Sequence, residues 1–292
     1  MVEKATQFLA IGGGMELRPK NPLVKTFIDY SGGHKAKITV LPTASDFGRE
    51  VGSLYRDAFL KYTDDVKYFL IDKREDANDQ ELCEWLTEST GVFFTGGNQL
   101  RITTLLGGSE VEKIIRKKID QGIMLAGTSA GASVMSSTMI TWGRADRMVK
   151  GNLQMSPGMG WIRGMVIDSH FVKRGRISRL LHLVSEHPGS LGIGLAEDTG
   201  ILLTRDVSEF EVIGSRQVVV VDGRSISHSN MPKLREARPF SVTDVKIHVL
   251  GSGYKYDFMN HSVTVPDDSK DIIELEVPAE ERSLPYVPSE DY

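Results

Sequence analysis

The sequence predicts an α/β fold: a mainly parallel sheet flanked by helices, with a smaller β-rich extension at the C-terminal end. Three observations carry that expectation. Short apolar runs, rich in β-branched and aromatic residues, end in clusters of small residues, which is the pattern of strands buried on both faces. Stretches with apolar residues at helical spacing lie between these runs, and strand–helix alternation builds a parallel sheet covered on both sides. After about Val207 the texture changes to successive strand-like runs joined by turns.

Taken in order, Phe8-Leu9-Ala10-Ile11 runs into Gly12-Gly13-Gly14, and Lys37-Ile38-Thr39-Val40-Leu41 runs into Pro42-Thr43-Ala44-Ser45. The run 66–71 leads into Asp72, Val92-Phe93-Phe94 into Thr95-Gly96-Gly97, and Ile123-Met124-Leu125-Ala126 into Gly127-Thr128-Ser129. Helices are predicted over 49–61, where Val51, Leu54, Tyr55, Ala58 and Phe59 share a face, and over 79–87, with Leu82, Trp85 and Leu86. A third spans 110–121, with Val111, Ile114, Ile115 and Ile119 on one stripe. Ligands of such sheets bind beyond the carboxyl ends of the strands, so the small-residue clusters should converge on one site. Further on, Val218-Val219-Val220-Val221 before Asp222-Gly223, then 246–250 and 272–277, read as strands, while 283–292, with two prolines, is expected to fray. No linker separates two halves. The expectation is one α/β hydrolytic domain over 1–292, with a core at about 5–221 and an extension at about 222–292.

Composition narrows the function. With 292 residues and 40% hydrophobic content the chain can bury a large core without disulfide or metal staples. The 35 Lys+Arg against 39 Asp+Glu leave −4, which is not the basic field of a general nucleic-acid binder. One cysteine, Cys83, cannot form an internal disulfide and suits a reducing compartment. No stretch approaches the ~18 apolar residues of a membrane span, and the first residues lack the apolar run of a signal peptide. A cytoplasmic protein without membrane or nucleic-acid partners is expected. There is no H-E-x-x-H and no cysteine-rich cluster, so no metal and no cofactor are expected.

The strongest chemical signal is Gly127-Thr128-Ser129-Ala130-Gly131, a G-x-S-x-G pattern between a predicted strand and the helix start Ala132-Ser133-Val134-Met135. That context is what a nucleophile elbow requires: a tight turn lifts the serine hydroxyl, and the glycines let strand and helix approach. The Ala130 amide would then point where an oxyanion develops. An ordinary glycine-rich turn or a phosphate cradle is the bland alternative. A serine hydroxyl needs a base, and that base an orienting carboxylate. Of seven histidines, His170 is best placed, because it follows the strand-like run Met165-Val166-Ile167. Asp168, Glu197 and Asp198 all end apolar runs, and spacing alone does not choose among them. The loop Thr95-Gly96-Gly97-Asn98-Gln99 could supply a second oxyanion amide and a substrate contact at Gln99, or simply a turn in which Asn98 caps a helix. Arg174, Arg176 and Arg179 could clamp substrate carboxylates, or form a solvated face. Gly12-Gly13-Gly14 lacks the G-x-G-x-x-G pattern of a dinucleotide loop and reads as a turn at a strand end.

Four ordered stretches together resemble cyanophycinase: Phe94-Thr95-Gly96-Gly97-Asn98-Gln99-Leu100-Arg101, Gly127-Thr128-Ser129-Ala130-Gly131-Ala132, Asp168-Ser169-His170-Phe171 with Arg174, Arg176 and Arg179, and Gly192-Ile193-Gly194-Leu195-Ala196-Glu197-Asp198-Thr199. The likeness runs from about Phe8 to Val221. That family is related to dipeptidase E, the aspartyl dipeptidase, within a class I glutamine-amidotransferase-like, flavodoxin-like fold. The resemblance implies an intracellular, dimeric serine peptidase that cleaves cyanophycin, a poly-aspartate with arginine on each β-carboxyl, to β-aspartyl-arginine dipeptides. By position it makes Ser129 the nucleophile, His170 the base and Glu197 its orienter, with the Gly97 and Ala130 amides as oxyanion hole. Gln99, Asp168, Arg174, Arg176 and Arg179 would contact substrate. Where family members carry Asp-Gln-His-Phe, this chain has Ser169 in place of the glutamine, a position expected to touch substrate. The competing expectations are an aspartyl or isoaspartyl dipeptidase acting on short peptides, a catalytically silent binding module on the same fold and, more remotely, a nucleotide-binding protein using Gly12-Gly13-Gly14.

Overall fold

The computed structural model describes residues 7–204 and 208–267. The first half alternates as expected: β1 (Gln7–Ile11), α1 (Pro22–Ser31), β2 (Lys37–Leu41), α2 (Gly48–Phe59), β3 (Asp65–Tyr68), α3 (Gln80–Glu88), β4 (Gly91–Phe94), α4 (Gln99–Leu106), α5 (Glu110–Asp120), β5 (Met124–Thr128) and the short α6 (Ala130–Ser133). A hairpin of β6 (Thr138–Gly143) and β7 (Leu153–Pro157) follows, then β8 (Met165–Asp168), α7 (Ile177–Glu186) and β9 (Leu191–Leu195). The remainder is β10 (Thr199–Thr204), β11 (Glu209–Gly214), β12 (Val218–Asp222), β13 (Lys246–Leu250), β14 (Lys255–Asp257) and β15 (Ser262–Thr264).

Among the described residues the central sheet has nine strands, in the order β15-β14-β11-β10-β1-β5-β4-β2-β3. The stretch β1-β5-β4-β2-β3 is parallel, and antiparallel strands complete the sheet beyond β1. A second sheet, β13-β12-β9-β8, is parallel only between β8 and β9. All five runs expected as parallel strands pair as such, although the run 66–71 ends its strand at Tyr68. In the central sheet the antiparallel strands begin at Thr199, earlier than Val207, because β10 pairs antiparallel with β1; the β6–β7 hairpin is antiparallel earlier still. The strand expected at 272–277 and the fraying expected at 283–292 lie outside the described residues, as does Val207 itself.

Alternation within each strand divides the core. In β1, Phe8 and Ala10 face one apolar layer and Leu9 and Ile11 the other; Phe93 and Phe94 of β4 part in the same way. Helices α1 and α2 cover one face through Leu23, Phe27 and Phe59. Helices α3, α4 and α5 cover the other through Leu82, Leu86, Ile102, Ile115 and neighbours, and the second sheet joins that layer through Ile167, Ile193 and Val220. α7 closes the outer side of the second sheet with Leu180, Leu183 and Val184. Each fully buried aromatic or aliphatic side chain is worth about 1.5–3 kcal/mol relative to exposure, so packing on two faces holds the sheet rigid. The starts of α1, α3, α4 and α5 are capped: Asn21, Asp79, Asn98 and Ser109 each accept a first-turn amide. The carboxyl ends of β1, β5, β8 and β9 open on one common region, where the two sheets meet.

Candidate active site

Ser129 directly follows β5 at φ 53°, ψ −110°, in the left-handed half of backbone space. Such a conformation costs a non-glycine residue about 1–3 kcal/mol and persists only where the surroundings enforce it. Its amide donates to Ile11 O at 2.9 Å, and its carbonyl accepts from Ala132 and Ser133 in α6. The flanking glycines are required by close approach. A Cβ on Gly127 would sit 2.3 Å from Gly131 O, and one on Gly131 would sit 2.4 Å from Phe94 O.

His170 lies two residues past β8, also at positive φ (51°). Its Nε2 is 3.0 Å from Ser129 Oγ. Its Nδ1 is 3.1 Å from Glu197 Oε1, beyond the end of β9. Among the described residues it is the one histidine bonded to Ser129. Burial holds the imidazole below its ordinary pKa, Glu197 pulls it up, and Arg174 and Arg176 push it down again. The net direction favours the neutral ring, the form that can accept a proton.

The three carboxylates that end apolar runs have different partners. Asp168 turns away from the histidine into the interior, 3% exposed, with Arg176 Nη1 3.0 Å from Oδ1 and Arg179 Nε 3.0 Å from Oδ2. Burial pushes this carboxyl up, while the two guanidiniums pull it down. Asp198, at φ 47°, accepts from Asn21 Nδ2 (2.6 Å), Ser215 Oγ (2.9 Å) and the Glu16 amide (3.1 Å). Glu197 alone reaches the imidazole.

Gly97 (φ 138°) lies in the loop beside Ser129, where a Cβ on neighbouring Gly96 would stand 3.3 Å from Ser129 Cβ. Gln99, the first residue of α4, donates through Nε2 to Ile140 O at 2.7 Å and so ties this loop to the β6–β7 hairpin. Arg176 also donates to Ser169 O at 2.7 Å. Arg179 is 6% exposed, so its charge faces Asp168 rather than open solvent. Gly12-Gly13-Gly14, which the sequence marks only as a turn at a strand end, brings Gly13 against His170 and Gly14 against Glu197. A cavity of about 730 Å³ opens elsewhere, at Trp161, Arg163, Leu191 and Phe258. Two further arginines there are committed within the fold, Arg116 to Glu112 and Arg224 to Asp222. Among the described residues no group of three or more His, Cys, Asp or Glu could hold a metal ion, and no helix is long and apolar enough to cross a membrane.

The fold is that of a known peptidase: a solved structure of a peptidase from an acI-B1 actinobacterium matches with a TM-score of 0.64 at 21% identity, covering 88% of this chain and 98% of that one. The chain belongs to peptidase family S51, whose profile matches residues 8–210. A cyanophycinase of Trichormus variabilis is 34% identical over 261 residues, 88% of this chain and 87% of that protein. Cyanophycinases of Synechococcus elongatus (33% over 258 residues, 87% of this chain and 80% of that protein) and Geminocystis herdmanii (34% over 256 residues, 87% and 94%) are similar to it as well.

Proposed function

We propose that the chain is a serine-type peptidase that hydrolyses cyanophycin to β-aspartyl-arginine dipeptides through an acyl-enzyme. One observation carries the reading: hydroxyl, imidazole and carboxylate stand in series at 3.0 and 3.1 Å, with the serine held in a strained turn. In this reading Ser129 is the nucleophile on a nucleophile elbow. His170 Nε2 takes its proton as Oγ bonds to the aspartyl carbonyl carbon, and the carbonyl electron pair moves to oxygen. Collapse breaks the C–N bond, and the imidazolium returns the proton to the leaving amine. Water then repeats the sequence on the ester. Glu197 orients the ring through Nδ1–H and stabilises the imidazolium. The amides of Gly97 and Ala130 form the oxyanion hole. In support, neither donates a hydrogen bond elsewhere among the described residues, and the Gly96-Gly97 loop packs against Ser129.

Gln99, Arg174 and Arg176 face the substrate, whose free carboxylates call for guanidinium partners. Asp168 and Arg179 complete the substrate-binding set from behind: buried Asp168 holds Arg176, and Arg179 pairs with the other oxygen of Asp168; the 3.0 Å contacts support this division. The protein acts as a single-domain, cytoplasmic homodimer, and sedimentation equilibrium tests the dimer. A second reading, an aspartyl or isoaspartyl dipeptidase, is favoured by one residue. Ser169, 6% exposed, is shorter than the glutamine of the resembling motif and offers a long polymer fewer contacts. Incubation with cyanophycin granules, and separately with α- and β-aspartyl dipeptides, followed by mass spectrometry, decides. Release of β-aspartyl-arginine from granules supports the first reading, and turnover of dipeptides alone supports the second.

A further inference from the structure

We infer that Gly12-Gly13-Gly14 is the positioning element of the site: a backbone template that sets the three side chains, contributed from two sheets, into register. The inference rests on the functional reading above. Three successive carbonyls at the end of β1 each accept the amide of one strained residue. Ile11 O takes Ser129 N at 2.9 Å, Gly12 O takes His170 N at 2.7 Å, and Gly13 O takes Asp198 N at 2.9 Å. Ser129, His170 and Asp198 all have positive φ, and Asp198 directly follows Glu197. Three unfavourable backbones are therefore stabilised by one short segment, and that segment fixes their spacing.

The missing side chains matter as much as the carbonyls. Gly13, at φ +102°, lies against the imidazole: a Cβ there would be 2.3 Å from His170 Cε1 and 2.5 Å from Nε2. Gly14, at φ +58°, lies against Glu197, where a Cβ would be 3.0 Å from Cγ. A Cβ on Gly12 would be 2.0 Å from Ala196 O, so the second sheet could not seat beside β1 at all. The imidazole cannot yield cheaply, because both of its nitrogens are engaged. Gly13 acts through His170 and contributes no group of its own to the reaction.

The test is a graded series, Gly13→Ala, Gly14→Ala and Gly32→Ala. Gly32 caps α1 at φ +118°, and a methyl there would stand 3.8 Å from its nearest neighbour, so it carries comparable backbone strain and no ring clash. kcat and KM are measured for dipeptide release, and the low-field proton resonance of the His170–Glu197 hydrogen bond is followed by NMR without substrate. Displacing a reacting group by about 1 Å costs on the order of 10²-fold. Gly13→Ala should lose that much in kcat at nearly unchanged KM, and its low-field resonance should shift or vanish. Gly14→Ala should lose less, and Gly32→Ala should keep wild-type kcat. A folded Gly13→Ala protein with wild-type kcat and resonance overturns the inference, as does an equal loss in Gly32→Ala. If Gly13→Ala does not fold, the resonance in Gly14→Ala decides: a shift supports the template and no change refutes it. Wild-type protein that cleaves no aspartyl peptide defeats the functional reading instead, and the NMR comparison remains decisive for the template.

Discussion

Removing the carboxylate of Asp168 should destabilise the fold more than any surface charge change, and the size follows from its surroundings. Asp168 is 3% exposed and Arg179 6% exposed. Arg179 Nε lies 3.0 Å from Asp168 Oδ2 but off the angle of a good hydrogen bond, so the contact is chiefly charge pairing. In Asp168→Ala the Arg179 guanidinium stays buried, and its remaining contact among the described residues is Gly143 O at 3.4 Å. Arg176 loses less, because it keeps Ser169 O at 2.7 Å. Breaking a buried pair by deleting one partner costs about 3–5 kcal/mol, a large share of the 5–15 kcal/mol that typically holds a domain together. Arg179→Met should cost a similar amount, since it leaves Asp168 buried with Arg176 as its one bonded guanidinium among the described residues. The double variant removes both charges and should cost at least ~2 kcal/mol less than the sum of the singles, within the range for coupled neighbours. Urea unfolding followed by circular dichroism measures all three, with constant m-values as the check that one transition is being compared. Single costs that add to within about 0.5 kcal/mol would refute the reasoning, for then the two charges do not act as a unit.

The remaining predictions concern the site and its supports. Ser129→Ala should abolish turnover, by about 10⁶-fold on the precedent of subtilisin, while circular dichroism stays unchanged because alanine meets the same backbone as serine. The acid limb of kcat/KM should have its midpoint below the ordinary imidazole value of 6.5, because burial favours neutral His170 and keeps the base form down to lower pH. Glu197→Gln removes the group that raises that pKa, so a pH–rate profile should show the limb moving further to acid, with turnover down by about 10⁴-fold as for an amide in the equivalent role. Asn21→Ala deletes both the cap on α1 and the 2.6 Å contact to Asp198, and thermal unfolding should register a loss of at least about 1 kcal/mol.

Much of the parallel half of the fold was legible because burial on both faces forces continuous apolar runs. Phe93 and Phe94 can be neighbours only where each face has its own core. α5 was legible over its full length because Val111, Ile114, Ile115 and Ile119 form one apolar stripe. The sheet to which β8 and β9 belong was not legible. Their runs read alike in either sheet, and what assigns them is pairing with β12, whose sequence says nothing about its partner. The β6–β7 hairpin escaped for a related reason: its strands are only partly buried, so no apolar run announces them.

The site divides along the same line. Ser129 and His170 were legible because each follows a strand end, a position that local sequence defines. The carboxylate was legible only through the family resemblance, which points to Glu197; spacing does not choose it. Glu197 and Asp198 are adjacent, of one charge, and both end the same run, yet only one reaches the imidazole. The left-handed turn at Asp198 separates their directions, and partners 177 and 182 residues away claim the second: Asn21 Nδ2 and the Glu16 amide hold Asp198 on the far side. Asp168 is claimed in turn by arginines one helical segment further along the chain. Three equivalent acids are therefore sorted by competition among hydrogen-bond donors, and that competition is decided only once β1, α1 and α7 have packed around them.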